Sequence, residues 1–171
     1  MIKNKKLYLA APLFSEAEKA YNIYLRDILS DFYDVYLPQE DGLLIVDLIK
    51  NGMGSTEAAK KVFENDVSAI ESCDVLLILL DGRTVDEGAA FELGVAYSKR
   101  KKCIALQTDP RRLLEIGNNP MISQSISECF STVNELVEWA KKYNGNIKGD
   151  SENANCVNIM CVKEKRKVVN C

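Results

Sequence analysis

Val75-Leu76-Leu77-Ile78-Leu79-Leu80, followed by Val85-Asp86-Glu87-Gly88-Ala89-Ala90-Phe91-Glu92-Leu93-Gly94, is the stretch whose reading decides the fold. An unbroken run of large aliphatics reads as a strand buried on both faces, as in a parallel sheet covered by helices. The residues after it read as a helix N-terminus, with the carboxylates of Asp86 and Glu92 set among small residues. In parallel α/β sheets ligands bind outside the carboxyl ends of the strands. This turn is therefore a candidate reaction centre. The chain contains no histidine, so chemistry here falls to carboxylates, hydroxyls or thiols.

The flanking segments extend the same pattern. Residues 7–11 read as a first strand, and Pro12 disfavours helix at Ala11. Ser15 with Glu18 three residues on has the capping-box pattern. It opens a helix over 16–30, with Ala17, Ala20, Tyr21, Tyr24, Leu25 and Ile28 at helical spacing. A second strand fits 33–37, and a helix fits 43–49 before the Gly52-Met53-Gly54 break. Ser55 or Thr56 is expected to cap a helix over 57–72 that turns Ala58, Val62, Val67 and Ile70 inward. Strand three covers 74–80, the helix after Asp86 runs to about residue 99, and strand four covers 103–107. A fifth strand fits 129–133, and a last amphipathic helix over 134–142 holds Trp139. This order implies an α/β fold: a flavodoxin-like, doubly wound parallel sheet of about five strands flanked by helices. One domain over 1–143 is expected, then a polar tail over 144–171 in which 156–162 could add an edge strand.

Composition narrows the function classes. A chain of 171 residues with a net charge of -3 lacks the basic footprint of a nucleic-acid binder. No apolar segment approaches the roughly 20 residues of a membrane span. The cluster Lys99-Arg100-Lys101-Lys102 reads as a solvated helix end. The six cysteines show no C-x-x-C spacing and have no histidine partners, so no metal site is expected. Cys73 and Cys103 read as small core residues, and the compartment as reducing and cytoplasmic. No G-x-G-x-x-G follows a strand, which argues against a dinucleotide site.

Four acids stand at suggestive places: Asp66 in a helix, Asp81 at the end of strand three, and Asp86 and Glu92 around the next helix start. Spacing alone leaves two readings of the last pair. Asp86 is a simple N-cap and Glu92 a solvated second-turn residue, or their environments set two carboxyls apart as acid and nucleophile.

The wider pattern bears on that choice. Tyr8-Leu9-Ala10-Ala11-Pro12-Leu13-Phe14, Asp66 with Ile70 and Cys73-Asp74, Asp86-Glu87-Gly88 with Glu92-Leu93-Gly94, and Asn119-Pro120-Met121 together resemble the nucleoside 2-deoxyribosyltransferase family in order and spacing. The resemblance covers residues 6–143. It implies glycosyl transfer between bases on a 2-deoxyribose, without cofactor or metal. Glu92 would be the nucleophile that forms a covalent deoxyribosyl ester, in the manner of retaining glycosidases. Asp66 and Asp86 match the acids near the departing base, and Tyr8 the tyrosine that orients the nucleophile. Ala11, Phe14 and Gly88 are expected to line the substrate site. Asn119 and Met121 match a segment that the family supplies from a neighbouring subunit. The implied partners are 2-deoxynucleosides and free purine or pyrimidine bases. A homo-oligomer with shared active sites, dimer-based with a hexamer as the larger alternative, is implied as well.

Two other readings compete. Relatives that hydrolyse deoxynucleoside monophosphates use the same carboxylate with water as acceptor, and hold the phosphate on a glycine- and serine-rich turn after the first strand. Here that turn is Ala10-Ala11-Pro12-Leu13-Phe14, which lacks glycine and loses one donor at Pro12. A non-catalytic module binding a nucleotide-like ligand would have lost the nucleophile or its partners, and all of them are present.

Overall fold

The computed structural model describes residues 5–111 and 117–145. Strands β1 (Lys6–Ala10), β2 (Asp34–Tyr36), β3 (Val75–Leu79), β4 (Lys102–Leu106) and β5 (Glu128–Phe130) form one sheet in the order β2-β1-β3-β4-β5. Every pairing is parallel, as expected for a flavodoxin-like sheet. The helices are α1 (Glu16–Leu29), α2 (Pro38–Asp41), α3 (Ile45–Lys50), α4 (Ser55–Ser72), α5 (Glu87–Ser98), α6 (Pro120–Ser123) and α7 (Val133–Gly145).

Alternation along the strands divides the core in two. Leu7, Leu9, Val75, Leu77 and Leu79 pack with Leu25 and Leu29 of α1 and Leu136 and Ala140 of α7. On the other face Tyr8, Ala10, Leu76, Ile78 and Leu80 meet Ile70 of α4 and Ala89, Leu93 and Ala96 of α5. Every residue of β3 is buried, and this two-sided burial is the reason for the unbroken aliphatic run. Each such side chain contributes about 1.5–3 kcal/mol. β2 lies to one side of β1 and β3 to the other, with Tyr8 opposite Leu76 and Ala10 opposite Ile78. The chain thus reverses its winding between β1 and β3, and a crevice opens at their carboxyl ends.

Several local features differ from the sequence reading. The buried residues of α1 are Asn22, Leu25 and Leu29, while Ala17, Ala20 and Tyr24 are exposed. Asn22 can occupy a core position because its Nδ2 donates to Pro12 O at 2.9 Å and Gln39 Oε1 at 3.0 Å. The Ser15–Glu18 capping box is present. Gly54, with no side-chain cap, precedes α4 in place of a Ser55 or Thr56 cap. Val62 and Val67 are only half-buried. α2 and α6 are four residues each, too short for hydrophobic periodicity to reveal. β5 stops at Phe130 because the chain turns into α7, where Thr132 Oγ1 accepts from the Glu135 N–H. In the basic cluster, Lys101 Nζ donates to the carbonyls of Glu71 and Cys73 at 2.6 and 2.7 Å, tying the end of α4 to β4. Cys73 and Cys103 are buried. Among the described residues no helix is long and apolar enough to cross a membrane. The suggested edge strand over 156–162 lies outside the described residues.

Candidate active site

Tyr8 lies in the middle of β1, fully buried, and faces α4 and α5 because its neighbours Leu7 and Leu9 face the other way. Across the crevice the loop after β3 ends at Asp86, the N-cap of α5. Its Oδ2 accepts from the Ala89 N–H at 2.8 Å, a cap that contributes about 1 kcal/mol. Gly88 leaves room for this carboxylate, since a Cβ there would stand 3.1 Å from Asp86 Oδ2. With the helix start fixed, Glu92 arrives in the second turn on the face toward the sheet. Tyr8 Oη donates to Glu92 Oε1 at 2.6 Å.

The electrostatics separate the acids. Burial pushes the Glu92 carboxyl up to about 7, against the Tyr8 hydrogen bond and with the charges of Asp66 and Asp86. Tyr8 is held far above the ordinary phenol range by burial and then by the Glu92 charge. It therefore remains a phenol and donates. Asp66 on α4 is raised by burial, an effect opposed by Asn65 and the Tyr36 hydroxyl. The set comprises a carboxylate poised near neutrality, a permanent donor to it, and a second carboxyl that burial raises above its ordinary value. Two carboxyls so arranged can divide the roles of nucleophile and acid.

Two further residues belong to this cluster, and the sequence reading overlooks both. Tyr36, opposite Tyr8 in the β1–β2 register, stacks on it with ring centroids 5.3 Å apart and planes 17° from parallel. Asn65 Nδ2 donates to Tyr36 Oη at 2.8 Å and more weakly to Asp66 Oδ1 at 3.4 Å. The available signals were a tyrosine at the carboxyl end of a strand and an amide adjoining a candidate acid.

The remaining candidates are placed as follows. Ala11 is buried just past β1, and Phe14 is 77% exposed in the turn before α1. Asn119 caps α6, its Oδ1 accepting from the Met121 N–H at 2.9 Å, and Met121 is 81% exposed. Both border a cleft of about 450 Å³ shared with Val85, Ala90 and Gln107. Ala90 precedes Glu92 by two residues, about 200° around the helix. The cleft thus lies across α5 from Glu92, and its lining includes Val85, the chain neighbour of Asp86. Asp81 joins the ends of β3 and β4, accepting from Thr108 N and Oγ1, both at 2.6 Å, and from Asp109 N at 2.8 Å.

Comparison with known proteins places the chain among relatives of the same fold. The model of the nucleoside 2-deoxyribosyltransferase family matches residues 7–171. A conserved protein from Enterococcus faecalis is 30% identical with a TM-score of 0.68, over 82% of this chain and 99% of that one. A 2-deoxyribosyltransferase from Bacillus psychrosaccharolyticus is 28% identical with a TM-score of 0.65, over 77% of this chain and 90% of that one. A CMP N-glycosidase from Clostridium botulinum shares the fold, at 18% identity and a TM-score of 0.52, over 80% of this chain and 99% of that one. Among proteins of curated function, none matches the chain closely enough to count as a relative. With the family model spanning the sheet, the carboxylate cluster and the region beyond, the chain belongs to the nucleoside 2-deoxyribosyltransferase family, whose members act on N-glycosidic bonds.

Proposed function

We propose that the protein transfers a 2-deoxyribosyl group from one nucleobase to another through a covalent ester on Glu92. The observation that carries the reading is the half-buried Glu92 carboxylate held by the Tyr8 hydroxyl at 2.6 Å. Tyr8 fixes one carboxylate oxygen and leaves the other to attack C1′ of the sugar. As the new C1′–O bond forms, the C1′–N bond breaks and its electron pair goes to the departing base. That base takes a proton from Asp66, whose carboxyl burial raises above its ordinary value. An incoming base then attacks C1′ through a ring nitrogen, returns a proton to Asp66 and releases Glu92 as a carboxylate. Both displacements use the same carboxyl pair, as in retaining glycosidases. Asp86 holds the start of α5 and adds negative charge beside the base site.

The turn after β1 supports nucleosides over nucleotides as substrates. The N–H groups of Phe14 and Ser15 are both taken by Glu18 Oε2, at 3.0 and 2.7 Å. Pro12 has no N–H to offer, and the Glu18 carboxylate would repel a phosphate at this helix start. Asn119 and Met121, across α5 from Glu92 in one chain and exposed, complete the sugar site of a neighbouring subunit in a homo-oligomer. The unit over 1–143 carries the catalysis, and the role is nucleoside salvage in the cytoplasm.

Incubation of the purified protein with 2′-deoxyinosine, with and without adenine, tests the reading by chromatography. 2′-Deoxyadenosine is expected only when adenine is present, with little turnover of 2′-deoxyinosine monophosphate. Hypoxanthine release with no new nucleoside would make the enzyme a hydrolase.

A further inference from the structure

Glu92 and Asp66 are each served by a tyrosine, and the two tyrosine rings are stacked on one another. We propose that Tyr36 and Asn65 are positioning residues that hold Asp66 for proton transfer, as Tyr8 holds Glu92 for attack; this rests on the glycosyl-transfer reading above.

The Asn65 amide joins the two side chains. Its Nδ2 reaches both Tyr36 Oη, at 2.8 Å, and Asp66 Oδ1, at 3.4 Å. With the amide turned over, its oxygen would face a carboxylate oxygen, acceptor against acceptor, so the nitrogen is fixed in this position. An amide nitrogen has two protons and can serve both neighbours. The Tyr36 oxygen therefore accepts from Asn65, and its own proton is left for Asp66. Asn65 in this way sets the direction in which the Tyr36 hydroxyl donates, and the ring stack on buried Tyr8 sets where that hydroxyl stands.

The surroundings explain why the reaction needs such a pair. Asp66 must give up a proton to the departing base and accept one from the incoming base, so neither form can be strongly preferred. The ionisable groups around it are Tyr8 from β1, Tyr36 from β2 and Glu92 from α5. Asp86 bears on Glu92, and Asp41 of α2 bears on Tyr36. Among the described residues, none of these groups is a cation. Burial favours protonated Asp66, and the two neutral donors favour its carboxylate. Without them the effect of burial on Asp66 would stand unopposed.

Tyr36→Phe and Asn65→Leu test this, the first keeping the stacked ring and the second keeping the side-chain volume. Two readings are taken across pH: exchange kinetics with 2′-deoxyinosine and adenine, and carboxyl 13C titration of labelled aspartates, with Asp66 assigned by its loss in Asp66→Asn. In both variants kcat should fall about tenfold or more with KM within about threefold. The Asp66 titration should move up by about one pH unit. If kcat and titration both match the wild type, or if either changes without the other, the proposal is overturned. Should Tyr36→Phe fail to fold, Asn65→Leu carries the same test. If the wild type exchanges no base with any nucleoside, the glycosyl-transfer reading falls. A displaced titration in the variants would then still support the holding of Asp66, and an unmoved one would remove that as well.

Discussion

Glu92→Gln will lose base exchange by about 10⁴-fold or more, because an amide oxygen cannot form the ester that the two-step transfer requires. The same variant should be more stable than the wild type at pH 8. Burial raises the folded-state pKa of Glu92 from 4.5 to about 7. Between those values the folded protein holds a proton that the unfolded chain releases, so stability falls as pH rises through this window. Above pH 7 the ionised carboxylate is a constant burden on the fold, on the order of 1–3 kcal/mol, and glutamine removes it. Below about pH 4.5 the two proteins should converge. Urea unfolding at pH 4, 6 and 8 measures the difference, which should grow with pH. The wild-type kcat/KM should in turn fall tenfold for each pH unit below about 7, as the nucleophile becomes protonated. A variant that keeps substantial exchange would remove Glu92 from the chemistry. A variant that loses exchange but gains no stability at pH 8 would mean that the carboxylate is not buried as described.

Asp66→Asn will reduce exchange by about 10²–10³-fold with 2′-deoxyinosine, whose base departs poorly as an anion. The size of the loss should depend on the leaving group. With 7-methyl-2′-deoxyguanosine the base departs neutral and needs no proton in the first step. Single-turnover release of that base should therefore be slowed by no more than about tenfold. The comparison separates proton delivery from general disruption, since a misfolded site would slow both substrates alike. Equal losses on the two nucleosides would contradict the assignment of Asp66 as the acid.

The parts of this account that could be read from the sequence are those where a single segment carries its own signal. β3 was legible because burial on both faces leaves it no polar position. The start of α5 was legible because an N-cap aspartate and its downstream acid lie on one continuous helix. The inward face of α1 was misjudged because Asn22 is buried, its amide bonded to Pro12 and Gln39 from other parts of the chain. A polar core residue of this kind has no local signature. Tyr36 and Asn65 went unread for a related reason: they meet only when the end of β2 packs against α4, 29 residues further on. Tyr8 was found through its motif, since as a pattern residue it is a strand aromatic like any other. Asn119 and Met121 were legible as a motif, yet their position across α5 from Glu92 follows only from the folded chain.

The central claim is the covalent ester, and the most direct test of it is intact-protein mass spectrometry after rapid acid quench. Wild-type protein is mixed with excess 2′-deoxyinosine in the absence of any acceptor base. A species heavier by one 2-deoxyribosyl group, located on the peptide containing Glu92, is expected, and it should disappear when adenine is added before the quench. Glu92→Gln should never form this species. Base exchange by the wild type with no adduct at any quench time, or an adduct located on another residue, would contradict it.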